Sequence, residues 1–165
     1  MSQDRIEKQI VLKAPRERVW QAIVDSGRFG TWFGVAFDGP FVEGERTAGR
    51  IVPTQVDDAI AAMQEPWAGM ACDFHVERIQ PMERFAFRWH AYPEGPEQDP
   101  QGANMTLVEF HLEDADGSAG ATRLTITESG FDRVPAAYRA KAFADNEGGW
   151  AMQVRLIAKY LERAA

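Results

Sequence analysis

Glu128 is the carboxylate of this chain best placed to do chemistry. It follows Leu124 and Ile126 at every second position of an alternating run, so a strand there turns it to the apolar side. A carboxylate in that place is costly unless a cation or hydrogen-bond donors meet it. Asn146 or Arg78 could supply them. Two functional roles follow: a polar anchor for a ligand headgroup, or a general base. The plainer alternative is a strand-end glutamate that reaches water.

The other chemistry-bearing residues argue by exclusion. Pairing the strands that carry His75, His90 and His111 puts His75 beside His90 on the solvent-facing side and His111 farther along. Two exposed imidazoles fall short of the convergent ligand set of a zinc site, so no metal is expected. Ser129-Gly130 lacks both the strained Gly-x-Ser-x-Gly turn and a placed His and acid, which leaves no catalytic nucleophile. Cys72, the single cysteine, has no basic partner in sequence and can form no internal disulfide. No Gly-x-Gly-x-x-Gly follows a strand and no Gly-Lys-Ser/Thr loop occurs, so no cofactor is expected.

A net charge of −7, with the 18 Lys and Arg scattered, argues against nucleic acid or an anionic membrane as partner. The first residues, MSQDRIEKQI, show neither a basic nor an apolar leader segment. No stretch approaches the roughly 18 apolar residues of a membrane span. A cytoplasmic, single-domain protein over residues 1–165 is therefore expected.

The elements that must position Glu128 follow from periodicity. Residues 5–13 alternate as a first strand. Pro15 opens a helix with Val19, Trp20, Ile23 and Val24 inward, and Asp25 or Ser26 caps a second, short helix carrying Phe29, Trp32 and Phe33. Strands are expected near 35–42, 48–56, 72–80, 84–92, 104–114 and 120–129, with turns at Gly39-Pro40, Pro81–Arg84 and Asp116-Gly117. Residues 57–71 and 93–103 are insertions, the second a mobile Pro- and acid-rich loop.

Trial registers pair Gln80 with Phe85 and Val76 with Trp89; then Trp89 with Val108 and Phe87 with Phe110; then Phe110 with Leu124 and Thr106 with Glu128. Arg88 would lie between Glu77 and Glu109. One face then carries Phe74, Val76, Phe85, Phe87, Trp89, Val108, Phe110, Leu112, Leu124 and Ile126, and needs a cover. The stripe Phe143, Trp150, Val154, Ile157 and Leu161 provides one as a closing helix over 143–161. Gly148-Gly149 sits near its start, a cost of about 1 kcal/mol each inside a helix. The glycines could allow close helix–sheet packing, precede a helix capped by Asp145 or Asn146, or leave room beside Trp150.

Four segments carry a resemblance: "IVLKAPRERVWQAIVDSGRFGTWFG" at 10–34, "RIQPMERFAFRW" at 78–89, "GATRLTITESGFD" at 120–132 and "NEGGWAMQVRLIAKYL" at 146–161. Together they resemble the START-like (SRPBCC) superfamily, specifically its activator of heat-shock-protein ATPase homologue (AHSA) group. The resemblance implies an α+β helix-grip fold, a curved antiparallel sheet wrapped around a long C-terminal helix, with two short helices after the first strand. It further implies an apolar cavity between sheet and helix. The candidate lining is Trp32, Phe33, Phe37, Phe74, Val76, Phe87, Trp89, Val108, Phe110, Ile126, Phe143 and Trp150, with Glu128 and Asn146 as polar residues. The same aromatic set, with Phe85, could equally be a filled core.

The leading expectation is a non-enzymatic protein that binds a small apolar molecule. An aromatase/cyclase- or hydrolase-like enzyme using Glu128 is the second reading. A co-chaperone-like interaction module, resting on the resemblance alone, is the third. An edge strand and the Trp67-containing insertion leave monomer and homodimer both open.

Overall fold

Residues Arg5–Leu12 form strand β1, followed by helices α1 (Arg16–Val24) and α2 (Ser26–Phe33). The structure, a computed structural model, describes residues 5–92, 99, 101–115 and 117–163. Asp25 caps α2 by accepting from the Arg28 amide at 3.0 Å. Gly34 closes α2 at φ 99°, a conformation glycine adopts without a Cβ clash. Gly30 is required by closeness: a Cβ there would come within 2.0 Å of the Val35 carbonyl oxygen.

Three short strands follow, β2 (Val35–Phe37), β3 (Arg46–Thr47) and β4 (Gly49–Ile51), well short of the expected 35–42 and 48–56. The 57–71 insertion is helical in part: α3 (Asp58–Gln64) runs into a 3-10 turn at Glu65–Trp67. Strands β5 (Phe74–Gln80), β6 (Arg84–Trp89), β7 (Thr106–Ala115) and β8 (Ser118–Ser129) complete the sheet. Its order is β1-β8-β7-β6-β5-β3, with β2 and β4 pairing separately. All of these pairs are antiparallel. The expected 93–103 loop lies for the most part outside the described residues, as does Asp116 of the last hairpin turn.

Each trial register needs correction. Phe110 pairs with Phe85 and Ile126, and Val108 with Phe87 and Glu128. Both hairpins are therefore displaced by two residues from the expected pairing, a shift that leaves the faces unchanged because side chains alternate with period two. Between β5 and β6 the turn is one residue tighter than expected, Gln80 opposing Arg84 with Met82 at φ 69°. In that register Ile79 faces Phe85, and a bulge between Val76 and Arg78 then restores phase, so that Val76 faces Phe87. His75 consequently opposes Arg88, not His90. Arg88 pairs with Glu77 at 2.8 Å, while Glu109 pairs with Arg84 at 3.5 Å instead of completing a second arm on Arg88.

The closing helix, α4, spans Ala136–Arg163, seven residues longer at its start than the expected 143–161. Pro135 directly precedes it, a position that suits proline. The Arg139 guanidinium ties down the approach by donating to the carbonyls of Phe131, Asp132 and Val134. Gly148 and Gly149 are thus helix interior, and the capping alternative at Asp145 or Asn146 falls away. Close packing falls away too, since a Cβ at either glycine meets nothing within 4 Å.

The apolar face of the sheet, α2 and α4 enclose an aromatic core. Phe74 and Phe87 stack at 3.7 Å between centroids and 7° between planes, and Phe29 packs edge-on against Phe74 and Phe41. Trp32 is wholly buried and its indole N–H donates to the Ala22 carbonyl at 2.9 Å, tying α2 to α1.

Candidate functional site

Glu128, near the end of β8, is 0% exposed. It does not reach water; four side chains surround its carboxylate with donors. The Trp150 indole N–H reaches Oε1 at 2.8 Å, and the Trp89 indole N–H reaches Oε2 at 2.8 Å. The Thr106 hydroxyl donates to Oε2 at 2.6 Å. The Asn146 amide nitrogen bridges both oxygens at 2.9 and 3.0 Å. An indole N–H can only donate, so the set complements a carboxylate, which only accepts. Strands β6, β7 and β8 and helix α4 all contribute, so the cluster joins sheet to helix. Arg78 takes no part: it is exposed and lies with Glu43, Glu77, Arg84 and Glu109 around a separate polar recess.

A pocket of about 200 Å³ adjoins this cluster. Phe33, Gly34 and Val35 form one wall, Ile51 and Cys72 a second, Gln64 and Trp67 a third, and Trp89, Asn146, Gly149, Trp150 and Gln153 the wall toward Glu128 and α4. Of the sequence candidates, Phe33, Trp89, Asn146 and Trp150 therefore line this space. Trp32, Phe37, Phe74, Val76, Phe87, Val108, Phe110 and Ile126 lie in the packed interior or against it. Phe143 packs on Phe131 at 5.1 Å between centroids, away from the pocket. Glu128 lies behind Trp89, Asn146 and Trp150, which both line the pocket and donate to it.

Sequence reasoning missed several lining residues. Asn146, Gly149, Trp150 and Gln153 recur at helical spacing on α4, so Gly149 and Gln153 could have been found by extending the stripe. Gln64 and Trp67 come from the insertion, whose fold-back onto Gly34 no periodicity signals. There the Phe33 carbonyl accepts from Gln64 Nε2 at 3.2 Å and from Gln153 Nε2 at 3.1 Å. Gln64 Oε1 in turn accepts from the Thr54 amide at 2.7 Å. These amide bonds hold α2, α3 and α4 together at the rim.

Burial pushes the Cys72 thiol up to about 12, with the Asp73 charge adding to the effect. It is a wall atom, not a nucleophile. His90 meets Asp99 at 3.0 Å, and His75 carries a buried Nε2 without a hydrogen-bond partner. Among the described residues no group of three or more His, Cys, Asp or Glu could hold a metal ion. Among the described residues no helix is long and apolar enough to cross a membrane.

Comparison with known proteins places this geometry. The protein DynU16, from the dynemicin biosynthetic locus, superposes with a TM-score of 0.64 at 27% identity over 96% of this chain and 47% of its own. The chain thus spans about half the length of that relative. MLL2253 from Mesorhizobium loti gives a TM-score of 0.69 at 19% identity, covering 98% of both chains. The Aha1 dimer from Colwellia psychrerythraea gives 0.63 at 20% identity, covering 96% of both. No curated protein sequence matches significantly. The six-stranded antiparallel sheet and long C-terminal helix are the helix-grip α+β fold that these structures share. The family described as Activator of Hsp90 ATPase homolog 1-like protein matches residues 13–162, and the chain belongs to it.

Proposed function

We propose that this protein binds a small, largely apolar molecule in the pocket between α2, α3 and α4, in the cytoplasm and without catalysing a reaction. One observation carries the reading: four aromatic side chains, Phe33, Trp67, Trp89 and Trp150, converge on a space that Gly149 leaves open. Burial of a guest would contribute roughly 25 cal/mol per Å² of apolar surface, before the costs of association. Glu128 supports the site from behind by fixing the two indoles. It is a poor candidate for a general base, because it is fully buried and both of its oxygens already accept hydrogen bonds. The family name points to chaperone association, a property that no residue of this chain argues for.

The test is titration with an apolar fluorescent probe, followed by probe fluorescence and by energy transfer from tryptophan. Saturable binding is expected, reduced at least about tenfold by Gly149→Leu, whose side chain would fill the space, and left intact by Gly148→Leu on the exposed side of the helix. Absence of saturable binding, or equal effects of the two substitutions, would refute the reading.

A further inference from the structure

The charge around the pocket specifies more than an apolar guest. All the hydrogen-bond partners of Glu128 are neutral: two indoles, an amide and a hydroxyl. No Lys or Arg lines the pocket among the described residues. A negative charge therefore sits one side chain behind the pocket wall, where water does little to screen it. Trp89 and Trp150 stand between the two, and an indole whose N–H donates to an anion presents a more electron-rich ring.

The polar wall also offers acceptors. Asn146 spends its amide nitrogen on both Glu128 oxygens and Gln153 donates one N–H to the Phe33 carbonyl, which leaves the two amide oxygens, with the second Gln153 N–H, as the unengaged polar groups. Gln153 Oε1 is buried with no partner. Phe33, Trp89 and Trp150 are tilted against one another by 36° to 60° at 5.7 to 6.1 Å between centroids, presenting differently oriented rings to one volume. Trp67, 57% exposed, stands at the rim.

We propose that the pocket takes a small organic cation, an alkylammonium group held among Phe33, Trp67, Trp89 and Trp150 and drawn by the buried carboxylate of Glu128. This rests on the ligand-binding reading above and adds the charge and chemical class of the ligand. Size agrees: an apolar cavity of about 150 Å³ accepts benzene, and the pocket here is about 200 Å³, room for a trimethylammonium group with a short tail. The net charge of −7 favours encounter with cations.

The probes are choline and its uncharged carbon isostere 3,3-dimethyl-1-butanol, titrated by NMR on the tryptophan indole N–H signals. Choline should bind at least about tenfold more tightly. Glu128→Gln, which keeps the size and removes the charge, should bring the two within about twofold. Trp67→Ala, at the exposed rim, should weaken choline about threefold or more and remains informative if Glu128→Gln does not fold. Equal binding of the two probes by the natural protein overturns the cation and leaves the pocket reading standing. A choline preference unmoved by Trp67→Ala overturns the ring cage. No binding of either compound, with saturable binding of the apolar fluorescent probe, also overturns the cation; loss of all three overturns both readings.

Discussion

Gly148→Ala and Gly149→Ala should each stabilise the protein, against the usual expectation for changes beside a site. Both glycines lie inside the continuous helix Ala136–Arg163. An interior glycine is about 0.8–1 kcal/mol less favourable than alanine, through backbone entropy. That gain survives only where the added methyl meets no obstacle, and a Cβ at either position has nothing within 4 Å. For a chain of this size each kcal/mol corresponds to roughly 2–4 °C in Tm, so each variant should melt about 2–4 °C higher. Calorimetry with matched urea titrations measures it. The two should diverge in binding: Gly148 is exposed, whereas Gly149 lines the pocket, so only Gly149→Ala should weaken the apolar probe. A stable but weaker binder would show stability conceded for an open space. A fall in Tm for either variant would refute the continuous helix with free space beside it.

Two further outcomes are expected. Cys72, raised to about 12 by burial, should resist disulfide-exchange reagents at pH 8 in the folded protein and react promptly in concentrated urea; rapid modification without denaturant would contradict the raised thiol. His75 is held below its ordinary value of 6.5, by burial first and then by the charges of His90 and Arg46, with Asp73 opposing. The unfolded chain therefore binds a proton that the folded chain resists, and stability should fall as pH drops through about 6.5. His75→Gln should flatten the decline in urea midpoint between pH 7.5 and 5.5, a range in which Asp57 and Asp99, both lowered from 3.8, titrate little.

Face patterning was the most legible part of the fold. Phe85, Phe87, Phe110, Leu112, Leu124 and Ile126 all lie on the buried side, although their strands pair two residues away from the expected register. Alternation reports the face, and a two-residue slip preserves it; register is decided at the turns, where Met82 at positive φ and the bulge at Glu77 carry no hydrophobic signal. The early start of α4 was hidden for a related reason. Ala136–Ala142 holds good helix formers but only one buried residue, Ala142, so the stripe does not extend into it. At the site, Glu128 was legible as a carboxylate out of place among apolar neighbours, with Asn146 or Arg78 as its partner; Asn146 meets it and Arg78 does not. The indole donors were not, because Trp89 and Trp150 read as hydrophobic bulk until the two elements are brought together. The pocket walls from Gln64 and Trp67 depend on a fold-back that only tertiary structure defines.

The carbonyl oxygen of Phe33 has one further consequence. With its two lone pairs taken by Gln64 and Gln153, it acts as a common hub for the segments around the opening. A swing of α3 alone would break one of these bonds, and a slide of α4 alone would break the other. The rim is thus tied through a single oxygen atom, and Trp67, more than half exposed, stands outside that tie.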